Sequence, residues 1–278
     1  MLKIETVEEL KDVLFRIKSN GKSIGFVPTM GALHEGHISL IKKAREENEV
    51  VVCSIFVNPI QFNNASDLEK YPRDLSGDLT LIEKYTDIVF TPTVNEVFPE
   101  PPLEKYDFGV LESVMEGNSR PGHFNGVAII VKRLLDWIKP DKAYFGEKDF
   151  QQLIIIRQMV KDLQIQTQII ACPIMREPNG LAMSSRNARL SEEEFEKAAA
   201  INRILQDSLM IQPRNPEQIK KYVVTQIERI PEFRLDYFEI VEDTTLQPVE
   251  NFENDEGIIG CIAVFVRDVR LIDNIRYK

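Results

Sequence analysis

The 278-residue chain contains only three histidines, and two of them, His34 and His37, lie in the stretch Pro28-Thr29-Met30-Gly31-Ala32-Leu33-His34-Glu35-Gly36-His37. Imidazoles at this spacing fall on one face of a helix and can donate to the same anion. A helix start adds unpaired N–H groups and the positive end of the dipole, a setting that suits a phosphate. Zinc chemistry is the competing reading. The H-E-x-x-H pattern spaces its histidines one residue wider, however, and no third His or Cys ligand accompanies this pair. The stretch therefore reads as one wall of a nucleotide triphosphate site.

Further stretches carry polar chemistry. In Gly146-Glu147-Lys148-Asp149-Phe150-Gln151-Gln152 the glycine lets backbone approach a ligand and Lys148 offers a point charge. Leu181-Ala182-Met183-Ser184-Ser185-Arg186-Asn187 sets two hydroxyls and a guanidinium side by side, a donor-rich loop suited to triphosphate oxygens. Asn58, Gln61 and Gln152 are neutral amides, which bind hydroxyls and carboxylates without burying a charge, as a small polyhydroxy acid requires. Taken singly, Lys148 reads as a solvated lysine, the serines as a turn before a helix, and the amides as turn residues.

The elements that must position these groups follow from periodicity. Thr6-Val7-Glu8-Glu9 reads as a capping box, and Val7, Leu10, Val13, Leu14 and Ile17 keep helical spacing up to Gly21. Gly21-Lys22-Ser23 has the tail of a Walker A motif but Arg16 where the leading glycine belongs. A strand over Ser23–Val27 enters the histidine turn, and a helix leaves it to about Asn48. The β-branched run Val50–Val57 predicts a parallel strand covered on both faces. It ends in Asn58-Pro59-Ile60-Gln61-Phe62, at a strand's carboxyl end, where open α/β sheets bind ligands. A helix over Leu75–Tyr85, a strand over Asp87–Thr91, a loop over Pro92–Pro102 and a helix over Gly122–Ile138 follow. A strand over Ala143–Phe145, a helix from Gly146 to about Leu163 and a strand over Gln168–Pro173 complete the series. This alternation predicts an α/β fold with a doubly wound parallel sheet. Beyond Met175 the pattern changes to a helix capped at Ser191 and running to Gln212, a helix over Pro216–Ile230, and antiparallel strands over Leu235–Val241, Gly260–Val266 and Val269–Ile272. The expected division is a domain over 1–176 and a smaller α+β domain over 177–278, with the Leu181–Asn187 loop at the junction, where pockets tend to form.

Composition narrows the classes of partner. A net charge of −10 argues against a broad nucleic-acid surface. Met1-Leu2-Lys3-Ile4-Glu5 lacks the basic and apolar blocks of a secretory signal, and Val50–Val57 is too short to span a bilayer. Cys53, Cys172 and Cys261 each sit alone in an apolar stretch and read as buried, reduced thiols. The expected compartment is the cytosol.

Six stretches in order carry a resemblance: P-T-M-G-A-L-H-E-G-H at 28–37, V-N-P-I-Q-F at 57–62, Y-P-R-D at 71–74, R-P-G-H-F at 120–124, Y-F-G-E-K-D-F-Q-Q at 144–152 and M-S-S-R-N at 183–187. Together with D-Y-F-E-I-V-E at 236–242 and R-L-I-D-N at 270–274 they resemble the pantothenate synthetase (pantoate–β-alanine ligase) family over essentially the whole chain. The resemblance implies a Rossmann-like nucleotide- and pantoate-binding domain and a small C-terminal lid. It implies ATP-dependent condensation of (R)-pantoate with β-alanine through a pantoyl adenylate, releasing AMP and pyrophosphate. Mg²⁺ would accompany ATP without a dedicated protein site, and the protein would be a cytoplasmic homodimer with no nucleic-acid or membrane partner.

By motif, Met30, Gly31, Ala32, Leu33, His34, Glu35, Gly36 and His37 would line the ATP site, with His37 as the catalytic donor. Gly146, Glu147, Lys148, Asp149, Met175, Met183, Ser184, Ser185 and Arg186 would also contact ATP. His34, Lys148, Ser184, Ser185 and Arg186 would join His37 in the catalytic set. Gln61 and Gln152 would hold pantoate, joined by Asn58 on the amide reading, and Gln61 would also place β-alanine. Asn63-Asn64 stand where the family pattern has Gly-Pro, and Asn125 where it has Arg. Two other readings stay open: another H-x-G-H adenylyltransferase, which would not require Val57–Phe62 or Gln152, and a non-enzymatic nucleotide sensor.

Overall fold

The computed structural model describes residues 1–212, 215–253 and 257–278. Among these, six strands form one parallel sheet: β1 (Leu2–Ile4), β2 (Ile24–Thr29), β3 (Val50–Ile55), β4 (Ile88–Phe90), β5 (Lys142–Gly146) and β6 (Gln168–Cys172). Their order is β1-β4-β3-β2-β5-β6, with every pairing parallel. The Rossmann-like expectation holds. From β2 the chain builds outward through β3 and β4, then crosses back to lay β5 on the other side of β2. The switch point therefore lies between β2 and β5, and crevices of open α/β sheets open there.

The sequence explains the centre of this sheet. Val51, Val52 and Cys53 have no exposed surface, as the continuous β-branched run requires of a strand covered on both faces. Burial pushes the Cys53 thiol up to about 12, so it stays protonated and inert. Strand β2 runs two residues past the expected end and includes Pro28. Its register with β5 stops at Phe26, so the missing N–H of Pro28 interrupts no ladder on that side. The edge strand β1 is too short for an alternating pattern to mark it. Thr6 accepts from the Glu9 N–H at 3.4 Å, but the Val7 N–H goes to Glu96 at 2.7 Å. Glu96 lies in a one-turn helix, Val94–Val97, within the segment expected to be loop; Thr93 caps it.

The chain divides into two compact units. The first comprises Met1–Phe108, Arg120–Glu147 and Ile155–Pro173, and the second Gly109–Ser119, Lys148–Ile154 and Ile174–Lys278. Where the sequence suggested one cut after residue 176, the second unit also takes two segments from the N-terminal half. The reason lies in its sheet, the antiparallel β7 (Phe233–Glu242), β8 (Ile258–Val266) and β9 (Val269–Arg276). One face, with Phe238, Ile262, Val264 and Leu271, packs on helical residues Ile201, Leu205, Val223 and Ile227. The opposite face, with Val241, Ile259 and Cys261, packs on Met115, Phe150 and Ile154. Both faces are apolar, so a second cover is needed, and the two inserted segments supply it. The helix expected over Ser191–Gln212 is two helices, Glu192–Ala198 and Ala200–Ser208, with the Ser191–Glu194 capping box formed. No helix among the described residues is long and apolar enough to cross a membrane.

Candidate active site

In the first unit the histidine turn leaves the carboxyl end of β2, beside the switch point. Gly31 and Ala32 both adopt positive φ, 80° and 50°. A Cβ on Gly31 would lie 2.9 Å from Asp78 Oδ2 and 3.1 Å from Ile55 Cγ2, so only glycine fits without a shift. Asp78 holds the turn: Oδ2 accepts the Ala32 N–H at 2.9 Å and Oδ1 the Leu33 N–H at 2.7 Å. Burial raises the Asp78 carboxyl above the usual range, and these two backbone donors work against the rise.

His34 is the N-cap of helix Glu35–Glu47, and the two histidines cap each other reciprocally. His34 Nδ1 accepts the Gly36 N–H at 3.2 Å, and His37 Nδ1 accepts the His34 N–H at 3.3 Å. A backbone N–H can only donate, so each Nδ1 carries a lone pair and each neutral ring keeps its proton on Nε2. The ring centroids stand 4.2 Å apart. The capping geometry thus defines two Nε2–H donors at one helix start.

The same unit holds Asn58 and Gln61. Gln61 Oε1 accepts from Asn58 Nδ2 at 2.9 Å, and Gln61 Nε2 donates to Met30 Sδ at 3.0 Å. Asn58 is 1% exposed, and its Nδ2 also donates to the Gly126 carbonyl at 3.0 Å. Asn58 thus orients Gln61 from behind. His123 Nδ1 donates to the Gln61 carbonyl at 2.8 Å, which fixes its tautomer opposite to that of the other two histidines. A Cβ at Gly126 would lie 2.6 Å from the Ile60 carbonyl oxygen, so glycine lets helix His123–Ile138 approach this turn.

The remaining site residues divide between the units. Gly146 ends β5 and Glu147 follows it, both in the first unit; Lys148, Asp149, Gln152, Met175 and Met183–Arg186 belong to the second. Lys148 Nζ pairs with Asp149 Oδ2 at 3.1 Å. Met175 and Met183 face each other across a hairpin closed by Met183 N–H to Met175 C=O at 2.9 Å and an Arg176–Ala182 bridge. Ser184 caps the short 3₁₀ turn Ser185–Arg189, its Oγ accepting the Arg186 N–H at 3.3 Å. Asn187 stitches that turn back to the hairpin through the Ala182 carbonyl at 3.1 Å. The paired glutamines differ. Gln151 is buried and spends its amide on the Leu111 and Val114 carbonyls and the Glu116 N–H. Gln152 is half-buried. Among the described residues no group of three or more His, Cys, Asp or Glu is placed to hold a metal ion.

The model of the pantoate-beta-alanine ligase family matches residues 2–276. The chain belongs to that family. It is similar to the pantothenate synthetase of Bacteroides fragilis, 51% identical over 277 residues that cover 99% of this chain and 98% of the relative. Among solved structures it is similar to the pantothenate synthetase of Thermus thermophilus, with TM-score 0.93 and 41% identity over 100% of this chain and 99% of that one. It is also similar to the pantoate-beta-alanine ligase of Francisella tularensis, solved in complex with beta-gamma ATP and beta-alanine, with TM-score 0.84, 37% identity and coverage of 100% and 98%. Members of the pantoate–β-alanine ligase family are ligases that form a C–N bond, and this chain is one.

Within a pantoate–β-alanine ligase the three departing asparagines have local work. Asn63 donates to the Pro121 carbonyl, Asn64 caps helix Ala65–Glu69 through the Ser66 N–H at 2.8 Å, and Asn125 accepts the Tyr106 N–H at 2.8 Å. Sequence reasoning missed Asp78, His123 and Gly126 as supports of the site. Asp78 left one signal, an acidic residue on a helix four positions before the fully buried Ile82. His123 stood in the R-P-G-H-F stretch without an assigned role, and nothing local marked Gly126; their partners lie 62 positions or more away along the chain.

Proposed function

We propose that this ligase condenses (R)-pantoate with β-alanine to give pantothenate, with ATP converted to AMP and pyrophosphate. The reciprocal histidine cap carries the reading: two Nε2–H donors at a helix start beside the switch point of the sheet. In the first step a pantoate carboxylate oxygen attacks the α-phosphorus in line and pyrophosphate leaves. In the second the β-alanine amine attacks the acyl carbon, loses a proton, and AMP leaves. No protein nucleophile is needed, because the adenylate is the activated species.

Negative charge spreads over the phosphoryl oxygens in the first transition state, so prepositioned donors are the chief requirement. His37 and His34 supply neutral donors, and Lys148, Ser184, Ser185 and Arg186 complete the set. Lys148 is paired with an Asp149 that is half exposed, a weak tie that a triphosphate can replace. Met30–His37, Gly146–Asp149, Met175 and Met183–Arg186 are the proposed ATP contacts. Gln61 and Gln152 hold pantoate, Gln61 also places β-alanine, and Asn58 serves through Gln61. Mg²⁺ comes with ATP as counterion to the phosphates, a role it fills while keeping much of its water. The reading takes the unit built on the parallel sheet as the nucleotide- and pantoate-binding part and the unit built on the antiparallel sheet as the lid, in a cytoplasmic homodimer.

One assay tests this. Pyrophosphate release that requires pantoate, and AMP release that further requires β-alanine, supports the reading. Pyrophosphate release with another acceptor and none with pantoate would assign the chain to a different adenylyl transfer. ATP binding with no turnover on any acceptor would make it a sensor.

A further inference from the structure

The motif Arg270-Leu271-Ile272-Asp273-Asn274 lies far along the chain from the proposed ATP contacts, yet two of its side chains reach the segments that carry them. Asp273 and Asn274 are adjacent on β9 and 4% and 7% exposed. Successive residues of a strand face opposite ways. Asp273 registers with Ile262, which belongs to the helix-covered face, and Asn274 with Cys261, which belongs to the face over Met115, Phe150 and Ile154.

On the first face Asp273 grips Arg176 with both oxygens, at 2.7 and 3.0 Å. The same guanidinium donates to the Gly180 carbonyl at 3.2 Å. Arg176 and Gly180 stand on the hairpin that ends in Met183, so one carboxylate fixes the base of the Met183–Arg186 loop. Its Oδ1 also accepts the Asn274 N–H at 2.8 Å, which ties the carboxylate to its own strand. On the second face Asn274 Nδ2 donates to the Lys148 carbonyl at 3.3 Å.

We propose that Asp273 and Asn274 are positioning residues for adenylate formation. From opposite faces of one strand they hold the two segments that carry Lys148 and Ser184–Arg186. The proposal rests on the reading above that these segments contact ATP. Donors to a transferring phosphoryl group must be fixed on the ångström scale, and a bidentate arginine pair and a buried amide give directional anchors of that kind. The residue types matter. An aspartate at 274 would set a carboxylate against the Lys148 carbonyl, with no proton to donate.

The test compares Asn274→Asp, Asn274→Ala and Asp273→Asn with the unmodified protein in two separate half-reactions: pantoate-dependent pyrophosphate release, and AMP release from supplied pantoyl adenylate with β-alanine. Asn274→Asp is expected to lower kcat/KM for ATP by up to about 10²-fold, the scale of a 1 Å misplacement, and to leave adenylate consumption unchanged. In a Lys148→Ala background the Asn274→Asp effect should largely vanish, because it acts through that segment. Asp273→Asn should show the same split between half-reactions but keep its effect in that background, since it acts through the hairpin. Equal losses in both half-reactions, no loss in the ATP step, or full multiplicativity of Asn274→Asp with Lys148→Ala would overturn the proposal. Hydrogen exchange supplies a readout independent of turnover: Asn274→Ala should loosen the amides of 148–152, and unchanged protection there counts against the role. Should the unmodified protein release no pyrophosphate with pantoate, the functional reading fails, and the exchange measurement alone still decides the positioning.

Discussion

His37 Nδ1 accepts the backbone N–H of His34 at 3.3 Å, which makes His37 the N3 partner of a capping box as well as the proposed catalytic donor. Glutamine is a natural occupant of N3 in such boxes, because its side-chain oxygen accepts the same N–H. His37→Gln is therefore expected to keep the helix start and to lower kcat for pyrophosphate release by about 10²–10³, the scale of one lost transition-state donor. His37→Ala should lose the same rate and, in addition, about 0.5–2 kcal/mol of stability from the cap. Urea melts beside pre-steady-state pyrophosphate release separate the two effects; near-normal adenylation in His37→Gln refutes the donor role.

Removing the Asp78 carboxylate leaves the Ala32 and Leu33 N–H groups without their acceptor. Asp78→Ala is expected to cost about 1–3 kcal/mol, the penalty for stranding part-buried donors, and to raise KM for ATP because Met30–Leu33 lose their fixed path. Asp78→Asn, which keeps one acceptor oxygen, should fall between. Chemical denaturation and ATP titration of the three proteins give the order directly.

Alanine at 126 would drive a Cβ to 2.6 Å from the Ile60 carbonyl oxygen and 2.9 Å from Gln61 Cα. Both are backbone atoms, so the turn must move. Gly126→Ala is expected to destabilise by about 1–3 kcal/mol, as overpacking does, and to raise KM for pantoate more than KM for ATP. Equal KM shifts for both would mean that the turn does not serve pantoate selectively.

The far end of the histidine helix gives a pH prediction. Glu47 accepts from Lys43 at 2.7 Å, and from Lys142 and Tyr144 of β5 at 2.9 Å each. The hydrogen bond from Lys43, then those from Lys142 and Tyr144, hold its carboxyl down at about 2 against 4.5 ordinarily. A depressed carboxyl stabilises the fold above its unfolded value and loses that contribution as pH falls toward its folded value. The gap in thermal midpoint between the unmodified protein and Glu47→Gln should therefore be full at pH 7, shrink below about pH 4.5, and close near pH 2. A gap that persists unchanged to acid pH would show that Glu47 acts by packing alone.

The sequence by itself determined the alternation that makes the parallel sheet, the apolar run of β3, the turn that places His34 and His37 at a helix start, and the family. These are local matters: periodicity, caps and glycines are set by neighbours in the chain, and the motifs stand intact in order. Tertiary structure alone decided which side chains hold that turn and which hold the other segments. Asp78 reaches Ala32 across 46 positions, His123 reaches Gln61 across 62, and Asp273 reaches Arg176 across 97. Each such contact depends on strand order and register, which no spacing encodes. The same holds for the second unit, which draws in Gly109–Ser119 and Lys148–Ile154 because its sheet has two apolar faces to cover. A residue's type announces what it can bond. Only the fold decides which partner arrives.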